Sequence, residues 1–250
     1  MNIENKVAIV AGGSRDIGRA ISETLAGLGA KVAFTWCNSS ADGKATAAAI
    51  EAAGSQAISV RCDMTNGADV ENLVRETREA FGVSIDILVN VTGGLVARKT
   101  LSEMDEAFFE HVMKLNLTST FLTCRFVVPH MREGGSIVNF SSQAARDGGG
   151  PGAMAYATSK GAIMTMTRAL ARELGPSGIR ANCICPGMIA TTFHDTFTKD
   201  AVRANVAAAT PLRRQGASQD VADLVAYLAS PQSSFITGAS VDINGGMYFS

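Results

Sequence analysis

The segment Lys6–Trp36 reads KVAIVA, GGSRDIG, RAISETLAGLGA, KVAFTW. Its first and last runs, Lys6–Ala11 and Lys31–Trp36, are short, apolar and rich in β-branched and aromatic residues, as strands buried on both faces are. Between them Ile17–Leu28 has helical length and amphipathic spacing. A glycine loop joins the first run to that helix. Strand, helix and strand in this order make a unit whose two strands run parallel, with the helix crossing over one face.

The same alternation continues outward to the C-terminus. Ala57–Arg61, Ile85–Asn90, Ser136–Ser141, Ile179–Cys185 and Ala239–Ile243 read as further strands, and Ala41–Ala53 and Ala68–Phe81 as helices. Seven strands separated by helices predict a doubly wound parallel sheet with helices on both faces. No linker, composition shift or fixed-period repeat divides residues 1–250, so one α/β domain is expected. The 22 basic and 23 acidic residues leave no global charge to draw the chain to nucleic acid or a membrane surface. No apolar run approaches the roughly 18 residues of a membrane span, and the N-terminus starts directly on a strand with no signal peptide. Cys37, Cys62, Cys124, Cys183 and Cys185 show no C-x-x-C spacing and read as small hydrophobes in a reducing, cytoplasmic setting. His111, His130 and His194 lack metal-ligand spacing, so no metal is expected.

Gly12 and Gly18 bracket Ser14, Arg15, Asp16 and Ile17 at the start of the first helix. Glycines there let backbone approach a pyrophosphate at the positive end of the helix. A sheet that binds NAD commonly carries an acid at the end of its second strand; here that end is Trp36-Cys37-Asn38-Ser39. With no acid there, and with the planar fork of Arg15 suited to a 2′-phosphate, NADP(H) is expected over NAD(H). Asp63 and Met64 follow the third strand, and Asn90, Thr92 and Gly93 the fourth, so they should line the ligand crevice. Asp63 reads equally as an acceptor for an adenine amino group or as a turn residue. Asn116, in HVMKLNLTSTFL, is a polar residue on an apolar helix and needs a partner.

From Ser136 to Gly187 the sequence runs SIVNFSS, a glycine-rich loop, AMAYATSKGAIMTMTRALARELG and IRANCICPG. Tyr156 and Lys160 stand four apart and share one helix face, about 5–6 Å apart at Cβ. An ammonium beside a phenol favours phenolate, which predicts a lowered Tyr156 pKa and a proton donor near working pH. Ser141 and Ser142 end the preceding strand. Side chains alternate along a strand, so the two should not both face this pair.

With AGGSRDIG, CDMTN, NVTGG, NFSS, YATSK, CPGMIATT and TGASVDINGG in this order, the sequence resembles the short-chain dehydrogenase/reductase family over nearly its whole length. The resemblance implies a Rossmann-type fold and hydride transfer between a nicotinamide and a carbonyl or secondary alcohol. It implies Ser142 as the group polarising the carbonyl, Tyr156 as proton donor or acceptor, and Lys160 as the partner of both phenol and nicotinamide ribose. It makes Asn116 a holder of a relay water. Pro186, Gly187, Ile189 and Thr191 or Thr192 would contact the nicotinamide carboxamide or pyrophosphate, and residues from about 188 to 214 would form a lid over substrate. Gly94, Leu95, Val96, Gln143, Ala144, Gly150, Met188 and Phe193 would line a partly apolar substrate pocket.

Three features depart from the family pattern. Asp16 replaces a loop glycine and brings negative charge towards a diphosphate unless Arg15 or Arg19 offsets it. Val91-Thr92 replaces the common Asn-Ala, and the loop Gln143–Ala155 is one residue longer. The leading reading is an NADP(H)-preferring carbonyl/alcohol oxidoreductase. Its alternatives are a 3-oxoacyl-(acyl-carrier-protein) reductase, against which Glu133 and Ser177 weigh for want of a basic rim, and an idle cofactor-binding sensor or scaffold. The helix Met154–Leu174 is apolar on more than one face, which leaves one for a subunit interface, and Tyr248 and Phe249 fit docking on a neighbouring subunit; the resemblance implies a homotetramer.

Overall fold

The structure, a computed structural model, describes residues 1–250. The strands are β1 (Val7–Ala11), β2 (Lys31–Trp36), β3 (Ala57–Arg61), β4 (Ile85–Asn90), β5 (Met131–Phe140), β6 (Arg180–Pro186) and β7 (Ser240–Ile243). They form one parallel sheet in the order β3-β2-β1-β4-β5-β6-β7. The order reverses between β1 and β4, and the loops leaving those two strands diverge there to open a crevice.

Strand alternation sorts the core into two layers. Along β1, Ala8 and Val10 face a cluster built with α1 (Asp16–Gly27) and α10 (Ser218–Ala229). Val7, Ile9 and Ala11 face a second cluster built with α3 (Gly67–Phe81), α5 (Ser119–Val127) and α7 (Met154–Leu174). The central strand β1 is therefore apolar and buried throughout, because each of its faces meets a helix layer. The remaining helices are α2 (Ser40–Ala52), α4 (Glu106–Met113), the four-residue α6 (Ala144–Asp147), α8 (Thr192–Phe197) and α9 (Asp200–Ala209). Cys62, Cys124, Cys183 and Cys185 are buried as small hydrophobes, while Cys37 is exposed. No helix is long and apolar enough to cross a membrane.

Two features differ from the sequence expectation by more than a one-residue shift of an element end. β5 begins at Met131 rather than Ser136, and its pairing with β4 slips between Ile85 and Ile87. The polar and glycine residues REGG carry no strand signal, and β4 pairs with Met131 and Ser136 on either side of them. Between α4 and α5 the helix widens into a π-turn over Lys114–Thr118, with Asn116 inside it. Such widened turns recur at functional sites.

At the amino end of the sheet, the buried carboxylate of Asp86 accepts from Val7 N at 2.9 Å, Lys6 Nζ at 3.2 Å and Arg132 Nε at 3.0 Å. Glu133 and Ser177 lie at this same end, where Gly134 N donates to Gly178 O. They therefore do not rim the crevice, and the charge objection to an acyl-carrier substrate loses its basis.

Candidate active site

A cleft of about 1440 Å³ lies over the carboxyl ends of the strands. Its first wall is the glycine loop between β1 and α1. Gly18 packs so closely on the carbonyl of Gly12 that a Cβ there would collide with it, and Gly12 itself has φ +84°. Gly12 N donates to Thr35 Oγ1 at 2.8 Å, which ties the loop to β2. Gly12, Ser14, Arg15, Asp16, Ile17 and Gly18 all face the cleft, as do Asn38, Asp63 and Met64. Asp63 Oδ1 accepts from Thr65 N at 2.9 Å and Thr65 Oγ1 at 2.8 Å, and these bonds hold its carboxyl below the usual range. Asp63 is thus a turn residue that also borders the cleft.

Asn90 corrects the expectation. It is buried behind the cleft, where Nδ2 donates to Asn139 Oδ1 at 2.9 Å, because the last residue of a strand points to the face its register dictates. Thr92 and Gly93 do face the cleft. The hydroxyl of Thr92 is buried without any partner. An orphaned hydroxyl beside a glycine cradle fits a site built to take up polar atoms of a dinucleotide.

The opposite wall carries Ser142, Tyr156 and Lys160. Helix α7 spans Met154–Leu174 as expected, and Lys160 Nζ lies 5.7 Å from the centroid of the Tyr156 ring. Ser141 turns the other way and donates to Lys160 O at 2.7 Å, bracing α7 against β5. Ser142 Oγ accepts from Ala144 N at 3.2 Å and stays on the cleft side.

The electrostatics depart from the sequence reading. Lys160 is buried, and burial brings its ammonium from 10.5 down to about 8. Its Nζ donates to Phe140 O at 2.8 Å, a neutral carbonyl, and makes no ion pair. Burial likewise pushes the Tyr156 phenol up, with the nearby Ser142 hydroxyl pulling against it. The expected lowering of the phenol by the ammonium is therefore absent in the chain by itself. Burial dominates both shifts, because it disfavours the charged form of phenol and ammonium alike.

The side chain of Asn116 is fully engaged within the fold. Its Nδ2 donates to Gly94 O and Val112 O, both at 2.9 Å, and its Oδ1 accepts from Gly94 N at 3.0 Å. Both amide protons are used, so the side chain clamps the strand-four loop instead of reaching the cleft. Gly93 sits between this amide and Lys160, and a Cβ there would come within 3.0 Å of Nζ and strike Asn116. The residue is a positioning group for Gly93 and Gly94.

Pro186, Gly187, Ile189 and Thr191 border the cleft, as do Gly94, Leu95, Val96, Gln143, Ala144, Gly150, Met188 and Phe193. The Phe193 ring lies 6.1 Å from that of Tyr156 and packs on His194 and Phe197. The segment after β6 folds as α8 and α9, roofing this wall. Asp16 and Arg15 both reach that roof: Thr192 N donates to Asp16 Oδ1 at 3.1 Å, Thr192 Oγ1 donates to Asp16 Oδ2, and Arg15 Nη1 donates to Thr192 Oγ1 at 3.3 Å. Arg19 instead pairs with Glu23 along α1 at 2.7 Å, so it does not offset the Asp16 charge.

Three cleft residues were given no role by the sequence. Arg98 donates to Pro151 O at 3.0 Å and supports the glycine-rich loop at the mouth. Asn244 and Met247, from the tail, also border the cleft, because Leu212 N donates to Gly245 O and draws the tail under the lid. Only a contact made far along the chain brings them there.

The family model described as Enoyl-(acyl carrier protein) reductase matches residues 11–248. An uncharacterised short-chain type dehydrogenase/reductase of Sinorhizobium fredii is 36% identical over 253 residues, covering 99% of each chain. The 3-oxoacyl-(acyl-carrier-protein) reductase FabG of Escherichia coli is 36% identical over 251 residues, again covering 99% of each. Among solved structures, a blue fluorescent protein from a metagenomic library in complex with NADPH superposes with TM-score 0.93 at 35% identity, covering 100% of both chains. With this cleft and these relatives, the chain belongs to the short-chain dehydrogenase/reductase family of NAD(P)-dependent oxidoreductases.

Proposed function

We propose that this oxidoreductase interconverts a ketone and a secondary alcohol through Ser142, Tyr156 and Lys160, with NADP(H) preferred over NAD(H). The observation that carries the reading is the convergence of a hydroxyl, a phenol and a buried ammonium on one wall, facing a glycine cradle across the cleft. When bound, the dinucleotide supplies the hydride. Gly12, Ser14, Ile17, Gly18 and the Thr92 hydroxyl would hold its phosphates and ribose, and Ile189 and Thr191 its carboxamide end.

The protein's part is proton management and orientation. As a carbonyl carbon is reduced, charge grows on its oxygen and must be met by donors already in place. Ser142 Oγ would donate to that oxygen and orient it, and the Tyr156 hydroxyl would deliver the proton. Lys160, held by Phe140 O, supplies positive charge that stabilises the phenolate left behind. Its lowered value also lets it exchange a proton close to neutral pH. Asn116 fixes the loop against which this ammonium rests.

The absence of an acid at the end of β2, with Arg15 on the cleft wall, supports NADP(H). The NADPH complex of a 35% identical neighbour is consistent with this. An acyl-carrier thioester remains the second reading, favoured by the name of the E. coli relative. Exposed Phe121 and Met154 on α5 and α7, with exposed Phe235 and Phe249 near β7, support surfaces through which copies of the chain would assemble as a homotetramer. Fluorescence titration with NADPH and NADH, followed by a carbonyl screen, tests the reading. Tighter NADH binding overturns the cofactor preference, and undiminished turnover by Tyr156→Phe overturns the catalytic assignment. A monomer by light scattering at micromolar concentration overturns the tetramer.

A further inference from the structure

We infer that Asp16 is a latch that holds the lid over the reaction wall, a positioning residue built from the very substitution that departs from the family's glycine loop. Asp16 has φ +49°, a left-handed conformation that glycine adopts without strain and that aspartate tolerates. Its carboxylate does not project along the glycine loop. It spans the cleft to residue 192, 176 positions away in sequence, and accepts both the backbone N–H and the hydroxyl of Thr192.

Thr192 is the first residue of α8, and the preceding Thr191 gives that helix no side-chain cap. The cap comes instead from Asp16, in a different part of the fold. The helix has only six residues, and none of them is fully buried. A helix this short does not persist without outside support. Asp195 pairs with Arg203, which binds α8 to α9 but only within the roof. The bonds to Asp16 and Arg15 join the roof to the glycine loop. Phe193, the next residue, stands against Tyr156. The lid's position over the phenol is thereby set from the cofactor side of the cleft.

The latch also answers the charge problem. Thr192 N–H, Thr192 Oγ–H and the Arg15 guanidinium, 4.0 Å away at Nε, all address the Asp16 carboxylate. Its charge is engaged by the lid.

Hydrogen–deuterium exchange on the full chain, with no cofactor added, reads this directly. Asp16→Gly should speed exchange of the Thr192–Phe197 amides on the order of tenfold, the factor a lost helix cap is worth, with β1 and α10 unchanged. Asp16→Asn keeps one acceptor and tolerates the backbone, so it should fall between parent and glycine variant. Thr192→Val loses the hydroxyl but keeps the N–H bond and should also be intermediate. In NADPH titrations Asp16→Gly should bind no more weakly than the parent. Unchanged exchange at 192–197, or an equal rise in β1 and α1, overturns the latch. So does weaker NADPH binding with the lid amides unaltered, which would make Asp16 an ordinary loop residue. These readouts need no turnover, so failure of the catalytic assignment would leave the latch separately decided.

Discussion

The two ends of the sheet handle a buried charge in opposite ways. At the amino end, Asp86 is buried and fully engaged by Val7 N, Lys6 and Arg132. At the carboxyl end, Lys160 is equally buried, yet it has only the neutral carbonyl of Phe140, and Thr92 keeps a buried hydroxyl with no partner. Both ends rest on the same strands and the same two apolar layers. The amino end closes its polar groups and adds stability. The carboxyl end leaves polar groups unmatched, as a surface shaped for something other than folding does.

Activity and stability should therefore separate between the ends. The largest expected effect is at the carboxyl end, where Tyr156→Phe should lower kcat by roughly 10²–10⁴, the range for losing a general acid, with thermal unfolding unchanged. Asp86→Ala should do the reverse. It removes the acceptor of a buried N–H and leaves two cations without their partner, so denaturant unfolding should report a loss of about 3 kcal/mol with kcat near that of the parent. A large fall in kcat for Asp86→Ala would erase the contrast.

Lys160 sharpens the contrast through pH. Burial brings its value from 10.5 to about 8, so between those values the unfolded chain binds more protons than the folded one. Stability attributable to this group must then rise with pH across that window and be lowest below about 8. The parent measured against Lys160→Met should gain on the order of 3 kcal/mol from pH 8 to 10.5, and contributions of buried Cys62 and Cys124 cancel in the difference. A flat difference would mean the ammonium is better solvated than its burial implies. The smallest effect belongs to Thr92→Val. Removing an unpartnered hydroxyl should raise the stability of the chain alone by about 1 kcal/mol while weakening dinucleotide binding, read by calorimetry and titration. Loss on both counts would show that Thr92 has a structural partner.

The fold was legible because its signals are local. Each β-type run is apolar on both faces, as in IDILVN at Ile85–Asn90, and each is followed by helical spacing, so parallel pairing leaves little choice. The helix face shared by Tyr156 and Lys160 follows from the helical period alone, whereas the strand period says only that Ser141 and Ser142 diverge. What periodicity cannot carry is environment. The direction of the Tyr156 shift depended on burial, which outweighed the hydrogen bond from Ser142. The π-turn that turns Asn116 into a clamp on Gly94 arises where α4 meets α5 and packs on α7. Asp16 is the sharpest case: its sequence context announced a charge beside a phosphate site, and only the chain's return through Thr192, 176 residues later, supplied its partner. Sequence alone determined which groups exist and which local face each takes, because those depend on short-range periods. Tertiary structure decided their charge states and partners, because those depend on distant segments brought into contact and on the water that packing removes.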